Sequence, residues 1–168
     1  AAVYKAKGGP LVVEQIPIPR PGPGQVLVEV KACGICGSDV HAVKADWTPT
    51  NLVMGHEFSG VVASLGKGVK CCQVGDRVLP LPQVSCGKCA ACLSGNTFEC
   101  SSWEPIDYNP KYNGGYAEYV VVGELDAIAL PDNIDFVAAA GLQPMAVGLN
   151  AVRQAELTID DQVKARIL

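Results

Sequence analysis

Basic clusters, long apolar runs and a secretion signal are all missing from this chain of 168 residues. With 13 Lys and Arg against 17 Asp and Glu, the net charge is −4. The lack of a basic run argues against nucleic acid or an anionic membrane surface as a partner. No stretch of about 18 apolar residues occurs, so we expect no membrane-spanning segment. The first residues contain no apolar core of a signal peptide, and we expect a cytoplasmic protein.

Charged and aromatic residues are also few, at 18% and 6% of the chain. The hydrophobic fraction of 49% is too high for a disordered protein, and the length allows one domain with a core. The 18 Gly and 12 Pro residues interrupt the sequence often, and few stretches have a helical period. This pattern predicts a mainly β fold with a few helices, in which short strands are joined by turns.

Hydrophobic alternation places the individual elements. We expect a hairpin over residues 3–16 and further strands within residues 25–32, 61–65, 74–80, 114–122 and 125–130. A tight turn after residue 33 leads into a short helix with Ser38 or Asp39 near its start. Helices are predicted over residues 136–142 and 146–155, and Pro144 interrupts the chain between them.

The eight cysteines are best explained as thiols and metal ligands in a reducing compartment, because no secretion signal is visible. Four of them follow one another with gaps of two, two and seven residues: Cys86, Cys89, Cys92 and Cys100. Four thiolates can fill the tetrahedral shell of one structural Zn²⁺. A pair of disulfides, which would suit a secreted protein, and a zinc ribbon for nucleic acid, which would suit a basic chain, are the alternatives.

A second group of candidate ligands consists of Cys36, His56 and Glu57. A catalytic zinc uses about three protein ligands and leaves one position for water or substrate. Gly55 would let the chain approach closely before His56, and Asp39 is a candidate acceptor for a ligating imidazole. On spacing alone this set indicates little, because a Cys and a His far apart in the chain are common and Glu57 would also fit a solvated strand end.

Two other chemistries remain open for these residues. Cys33 and Cys36 form a Cys-x-x-Cys pair, which is typical of redox-active dithiols. Hydrolysis by a metal-activated water would need only Cys36, His56 and Glu57, and no other feature of the sequence supports it.

Six short motifs follow one another along the chain. They are Pro-Gly-Pro-Gly-Gln-Val at 21–26, Cys-Gly-Ser-Asp-Val-His at 36–41, Gly-His-Glu at 55–57, Val-Gly-Asp-Arg-Val at 74–78, the four-cysteine loop, and Gly-Gly-Tyr-Ala-Glu-Tyr at 114–119. Together they resemble the catalytic domain of the zinc-containing medium-chain dehydrogenase/reductase family, which includes alcohol, polyol and threonine dehydrogenases. One motif alone would be weak, whereas six in order are specific.

The resemblance implies a GroES-like β-barrel domain over residues 1–155, with a zinc-binding lobe at residues 84–113. The four loop cysteines would hold its structural zinc. Cys36 and His56 would be ligands of a second, catalytic zinc, and Glu57 would bind or swing away as water and substrate exchange.

The resemblance also assigns roles around that second site. Ser38 would take the proton of the alcohol, His41 would relay it towards solvent, and Asp39 would orient His56. One departure concerns Gln143, because the polyol branch commonly has Glu at this position, where it closes the metal shell. A neutral amide is a weaker ligand and would leave the zinc more positive. Gln143 would ligate directly, contact the metal through water, or only cap a helix end.

Family members continue with a Rossmann domain for NAD(P), which opens on a Gly-x-Gly-x-x-Gly turn. This chain has no such motif. We therefore expect the Rossmann domain to be absent and residues 156–168 to form a truncated junction or a terminal strand. In a full-length parent the chain would be the catalytic domain of an NAD(P)-dependent enzyme that oxidises a secondary alcohol or polyol. On its own it would be an inactive zinc-binding barrel, which is the alternative.

Overall fold

The computed structural model describes residues 1–45 and 48–155. Within them the chain forms ten strands, four α-helices and two short 3-10 helices. The strands are β1 Ala2–Tyr4, β2 Leu11–Val13, β3 Gln25–Cys33, β4 Leu52–Val53, β5 Phe58–Leu65, β6 Arg77–Pro80, β7 Gln83–Val84, β8 Glu104–Pro105, β9 Tyr119–Gly123 and β10 Ala127–Ala129. The α-helices are α1 Gly37–Ala45, α2 Ala90–Leu93, α3 Phe136–Ala140 and α4 Leu142–Gln154, and the 3-10 helices are Thr97–Glu99 and Glu124–Asp126.

The central sheet has five antiparallel strands in the order β10-β6-β5-β3-β9. Its two longest strands, β3 and β5, pair from Val26 opposite Leu65 to Cys33 opposite Phe58. A register shift between Val30 and Ala32 bends β3 near its end. Because β3 ends where β5 begins, the residues after β3 and those before β5 meet at the same end of this strand pair.

The core lies on one face of this sheet. Its buried members are Val26, Val28, Phe58, Val62, Cys72, Val78, Ile106, Val120 and Val122. Alternate residues of β3 and β9 point into it, as expected for strands with one buried face. Phe58 is fully buried, and a Cβ on Gly115 would come within 2.8 Å of its ring. The start of β5 is therefore packed tightly.

A smaller sheet with the order β2-β1-β4 carries helix α1. Tyr4, Ala42 and Met54 form a second buried cluster there. Ala42 is fully buried, so α1 is fixed to this sheet through its inner face. A third, two-stranded ladder of β7 and β8 closes the cysteine loop.

Most predicted elements are confirmed. The hairpin is present as β1 and β2, and the strand over residues 25–32 is β3. The predicted strand at 61–65 begins earlier, at Phe58, and the segment at 125–130 is divided between a 3-10 turn and β10. The junction predicted for residues 156–168 lies outside the described residues.

The helix boundary near Pro144 differs from the prediction. Helix α4 begins at Leu142 instead of residue 146, and Pro144 lies in its first turn. Proline is tolerated there because the first N–H groups of a helix have no intrahelical acceptor. The break between α3 and α4 falls at Gly141 instead.

Every strand pair in the described residues is antiparallel, so the parallel sheet of a Rossmann domain is not among these elements. Over the same residues, no helix is long and apolar enough to cross a membrane.

Candidate functional site

The cysteine loop contains little regular structure, and its four thiols face one another. Helix α2 follows Cys89 and carries Cys92, and the 3-10 helix Thr97–Glu99 leads directly into Cys100. The Cys86 N–H lies 3.3 Å from Cys100 Sγ, which joins the two ends of the loop. The ligand atoms of the four cysteines all lie within 4.8 Å of one another.

The separations of the thiols match a tetrahedral ion. Cys92 Sγ lies 3.5 Å from Cys89 Sγ and 3.9 Å from Cys86 Sγ. A zinc ion with Zn–S bonds of about 2.3 Å has sulfurs about 3.8 Å apart, whereas a disulfide needs about 2.05 Å. All eight cysteines are free thiols. The loop therefore does not form the two disulfides that were its alternative explanation.

Backbone amides stabilise the thiolate form of two loop cysteines. The N–H groups of Lys88 and Cys89 lower the pKa of Cys86, and those of Cys92 and Ser101 lower the pKa of Cys89 to about 6. Burial, together with the neighbouring thiol of Cys89, raises the pKa of Cys92 to about 12. A divalent cation would complete the deprotonation, because it stabilises each thiolate that it binds.

Two buried polar side chains hold the loop to the rest of the domain. The Gln83 amide donates to the Thr97 carbonyl at 2.7 Å. The fully buried carboxylate of Asp126 accepts the Ser85 N–H at 2.9 Å and the Ser85 hydroxyl at 2.6 Å. The base of the loop is thus fixed independently of the thiols.

Cys36, His56 and Glu57 form a second cluster, although they are far apart in the chain. Cys36 follows β3 and precedes α1, while His56 and Glu57 immediately precede β5. β3 and β5 are paired with Cys33 opposite Phe58, so these residues meet where β3 ends and β5 begins. Their ligand atoms lie within 4.8 Å of one another.

The charge balance of this cluster suits a cation. Glu57 is 8% exposed, and no ion pair joins it to any basic residue of the part of the chain that is described. The Gly34 N–H donates to the Glu57 carbonyl at 2.7 Å, which fixes the backbone beside Cys36. A buried carboxylate is stable only with a compensating charge or a proton, and a metal ion supplies that charge. The donor set of thiolate, imidazole and carboxylate is one that Zn²⁺ accepts.

His56 is held by Asp107. Its Nδ1 lies 2.6 Å from Asp107 Oδ2, and both side chains are almost buried. Burial acts to lower the pKa of His56, but the hydrogen bond and charge of Asp107 outweigh it and raise the pKa to about 9. With Nδ1 donating to a carboxylate, Nε2 is the nitrogen left to bind a metal.

The prediction that Asp39 orients His56 needs correction. Asp39 Oδ1 lies 3.9 Å from His56 Nδ1, too far for a hydrogen bond. Its oxygens are occupied elsewhere: they accept the Tyr108 and Tyr116 hydroxyls, each at 2.7 Å, and the Cys36 N–H at 3.0 Å. Asp39 therefore fixes the surroundings of Cys36, and the carboxylate on His56 comes from another segment.

Ser38 and His41 both lie on α1, one turn apart. The Tyr108 hydroxyl is 3.1 Å from Ser38 Oγ, so Ser38 belongs to the same network as Asp39. His41 is exposed, and its side chain has no hydrogen-bonding partner among residues 1–45 and 48–155. The relay from Ser38 to His41 stays a prediction.

Gln143 is half-buried in the first turn of α4. It lines a cavity of about 510 Å³ together with Leu81, Pro82 and Phe98. None of the hydrogen bonds within the described residues joins it to Cys36, His56 or Glu57. Its ligation of a metal also stays a prediction.

The Cys33–Cys36 pair is poorly suited to redox chemistry. Burial, together with the charges of Asp39 and Glu57, raises the pKa of Cys33 to about 12. Dithiol chemistry needs a thiolate, which such surroundings disfavour.

Sequence reasoning missed Asp107 as a partner of His56 and the two tyrosines as partners of Asp39. A weak signal existed, because Asp107 is a carboxylate between two apolar residues, Ile106 and Tyr108. Ile106 is fully buried and Asp107 is 3% exposed. A charge that is carried into a core in this way usually has a buried partner.

We predict a specific role for Gly55, which has a φ of 96°. A Cβ there would lie 2.7 Å from the Tyr116 ring, so Gly55→Ala would strain the backbone and displace the ring or His56. Gly68, with a φ of 81° and nothing within 4 Å of a Cβ, is the matched control. We expect Gly68→Ala to lower the free energy of unfolding by about 1 kcal/mol and Gly55→Ala by about 2 kcal/mol more. Equal midpoints in urea denaturation would contradict this.

Comparison with known proteins places these features in one family. The model of the alcohol dehydrogenase GroES-like domain matches residues 22–132. An alcohol dehydrogenase of Geobacillus stearothermophilus is 40% identical over 144 residues, which are 83% of this chain and 42% of that protein.

Two solved structures share the fold. Galactitol-1-phosphate dehydrogenase from Escherichia coli is 31% identical with a TM-score of 0.79, over 92% of this chain and 44% of that one. A Sinorhizobium meliloti 1021 protein, assigned as a zinc-binding dehydrogenase and bound to NADP, is 35% identical with a TM-score of 0.76, over 91% of this chain and 44% of that one.

The chain spans less than half the length of these relatives. The match to residues 22–132 covers most of the described core, and the expected GroES-like, mainly β fold is confirmed. This chain belongs to the alcohol dehydrogenase GroES-like domain family, within the zinc-containing medium-chain dehydrogenases/reductases.

Proposed function

We propose that the chain is the catalytic domain of a zinc-dependent dehydrogenase that oxidises a secondary alcohol or polyol with NAD(P). The observation that carries this proposal is the cluster of Cys36, His56 and Glu57, with the His56 imidazole held from outside the cluster by the buried carboxylate of Asp107. Three ligands of this kind leave a position for a substrate oxygen. The alcohol and polyol dehydrogenases among its relatives support the substrate class.

We further propose two zinc sites with different tasks. Cys86, Cys89, Cys92 and Cys100 would hold a structural ion, because four thiolates close the shell. Cys36 and His56 would hold the catalytic ion, with Glu57 as the third ligand and Gln143 nearby. A zinc ion bound at the second site would supply Lewis acidity, which lowers the pKa of an alcohol oxygen.

The residues of the chain would then manage the proton and the geometry. The Ser38 hydroxyl, already in a hydrogen-bonded network with Tyr108, would take the alcohol proton. His41 is exposed one turn further along α1 and would pass the proton to solvent. Asp107 would keep the His56 ring in one orientation and one tautomer.

The chain spans 42–46% of the length of its relatives. We infer that the nicotinamide is bound by a further domain of a longer protein, which corresponds to the part of the relatives outside this match. In this proposal residues 1–155 form the catalytic domain and residues 156–168 the junction. Helix α4 supports it: none of its residues is buried, and Met145, Val147, Leu149 and Val152 are exposed apolar side chains that another domain could cover. The free cysteines support a reducing compartment, such as the cytoplasm.

The test is alcohol-dependent reduction of NAD(P)⁺, followed by nicotinamide absorbance with a panel of secondary alcohols and polyols. We expect turnover from a chain in which the domain is joined to a nicotinamide-binding domain, and none from the 168-residue chain alone. Ser38→Ala should lower the rate by about 10²-fold or more, since it removes the proton acceptor. No turnover with any alcohol in the joined, zinc-loaded chain would favour the alternative, an inactive zinc-binding barrel.

A further inference from the structure

Two buried carboxylates approach His56, and they come from different parts of the fold. Asp39 lies in the first turn of α1 and Asp107 lies beyond β8, and each is 3% exposed. Only one of them can accept the Nδ1 proton. The choice decides which segment controls the imidazole that faces the second candidate metal site.

The distances select Asp107. His56 Nδ1 is 2.6 Å from Asp107 and 3.9 Å from Asp39. The Asp39 oxygens are already shared by two tyrosine hydroxyls and the Cys36 N–H, so turning Asp39 towards His56 would break these bonds. Leaving these buried donors unpaired would destabilise the folded domain.

Asp39 still acts on His56, but through Tyr108. Tyr108 adjoins Asp107 and has a φ of 55°, which a residue with a large side chain rarely adopts. Its hydroxyl is tied to Asp39 at 2.7 Å, so the bond holds this backbone conformation in place. The Asp107 carboxylate is thereby fixed against the imidazole from the neighbouring residue.

Asp107 lies at the end of the segment that follows Cys100 and leads out of the cysteine loop. Cys100 is followed by β8, Glu104–Pro105, and then by the buried pair Ile106 and Asp107. β8 pairs with β7 at the base of the loop, so the loop fixes the path of the chain up to Asp107.

We propose that Asp107 is the positioning residue for His56, and that the cysteine loop supports the second metal site by delivering it. Asp39 is placed one step further away, as the anchor of Tyr108, Tyr116 and Cys36. The inference rests on the proposed function, because the role of His56 as a metal ligand belongs to that proposal. In this proposal the cysteine loop, whose thiols take no part in the reaction, supports the catalytic site by positioning Asp107.

The first test measures zinc at the second site in the whole chain by competition with a chelator. Asp107→Asn keeps the shape of the side chain but loses its charge, and we expect it to weaken the second zinc about 10–100-fold. Asp39→Asn, which makes the same change on the other carboxylate, should weaken it less. The loop zinc should stay in both variants and reports that the domain is folded. A larger loss with Asp39→Asn, or no loss with Asp107→Asn, would overturn the inference.

The second test needs no metal at the second site. A His56 Nδ1–H bonded to a buried carboxylate should give a slowly exchanging, low-field proton signal in NMR spectra. We expect this signal to disappear in Asp107→Asn and persist in Asp39→Asn, and an unchanged signal in Asp107→Asn would overturn the inference. If the wild-type chain binds only one zinc, the proposed function fails, while this signal still decides which carboxylate holds His56.

Discussion

Removal of the loop metal should unfold the segment between β7 and β8 while the five-stranded sheet persists. The only regular elements in this segment are α2, with four residues, and a 3-10 helix of three. Large apolar side chains of the segment face solvent, including Leu93, Phe98 and Trp103, at 76%, 66% and 53% exposure. Little apolar burial therefore stabilises it, and in the proposed structural role metal–thiolate bonds supply the difference. Structural zinc contributes about 10–16 kcal/mol in small zinc domains.

Amide hydrogen exchange, read before and after chelation, measures this effect. We expect protection in residues 86–103 to fall to the level of an unfolded segment and protection in β3 and β5 to remain. Cys100→Ser should do the same without chelator. Cys71→Ser is the matched control, because Cys71 is exposed and outside the loop, and it should leave exchange unchanged. Unchanged protection of the loop after complete metal removal would contradict the structural role.

Cys36→Ser should abolish the second metal site and leave the loop site intact. Serine replaces the soft thiolate with a hydroxyl that binds zinc far more weakly, and His56 with Glu57 alone does not hold the ion. In a chain joined to a nicotinamide-binding domain, alcohol oxidation should fall on the order of 10³-fold, because the Lewis acid contributes several kcal/mol to the barrier.

Cys33→Ser is the control for this variant. Cys33 lies three residues earlier, opposite Phe58 in the sheet, and is outside the proposed ligand set. The same substitution there should preserve both metal content and turnover. Equal losses in the two variants would show that the effect is structural and would remove the evidence for Cys36 as a ligand.

The convergence of Cys36 with His56 and Glu57 illustrates what the sequence could predict. Alternating polarity predicts β3 and β5, and an antiparallel pair brings the end of the first beside the start of the second. The family resemblance implies the same three residues as ligands. The cysteine loop was predictable from spacing, because gaps of two residues allow neighbouring thiols to face one ion.

Asp107 could not be predicted in the same way. It is 51 residues from His56, and its position depends on the path of a loop with almost no regular structure. Asp39 was the expected partner because it lies in the ordered motif at 36–41. The Tyr108 and Tyr116 hydroxyls donate to Asp39 instead. Tyr108 lies in a segment whose sequence has neither strand nor helix periodicity, so its approach to Asp39 could not be predicted.

The start of α4 was missed for a local reason, because a proline in the first turn of a helix costs no hydrogen bond.

The most direct test of two separate metal centres is the zinc content per chain in three proteins, measured by elemental mass spectrometry after dialysis. We expect two zinc ions in the wild-type chain and one each in Cys36→Ser and Cys100→Ser. Cobalt spectra should then show only the tetrathiolate site in Cys36→Ser. A Cys36→Ser protein that retains the full wild-type metal content would contradict the assignment of Cys36, His56 and Glu57 as a metal site.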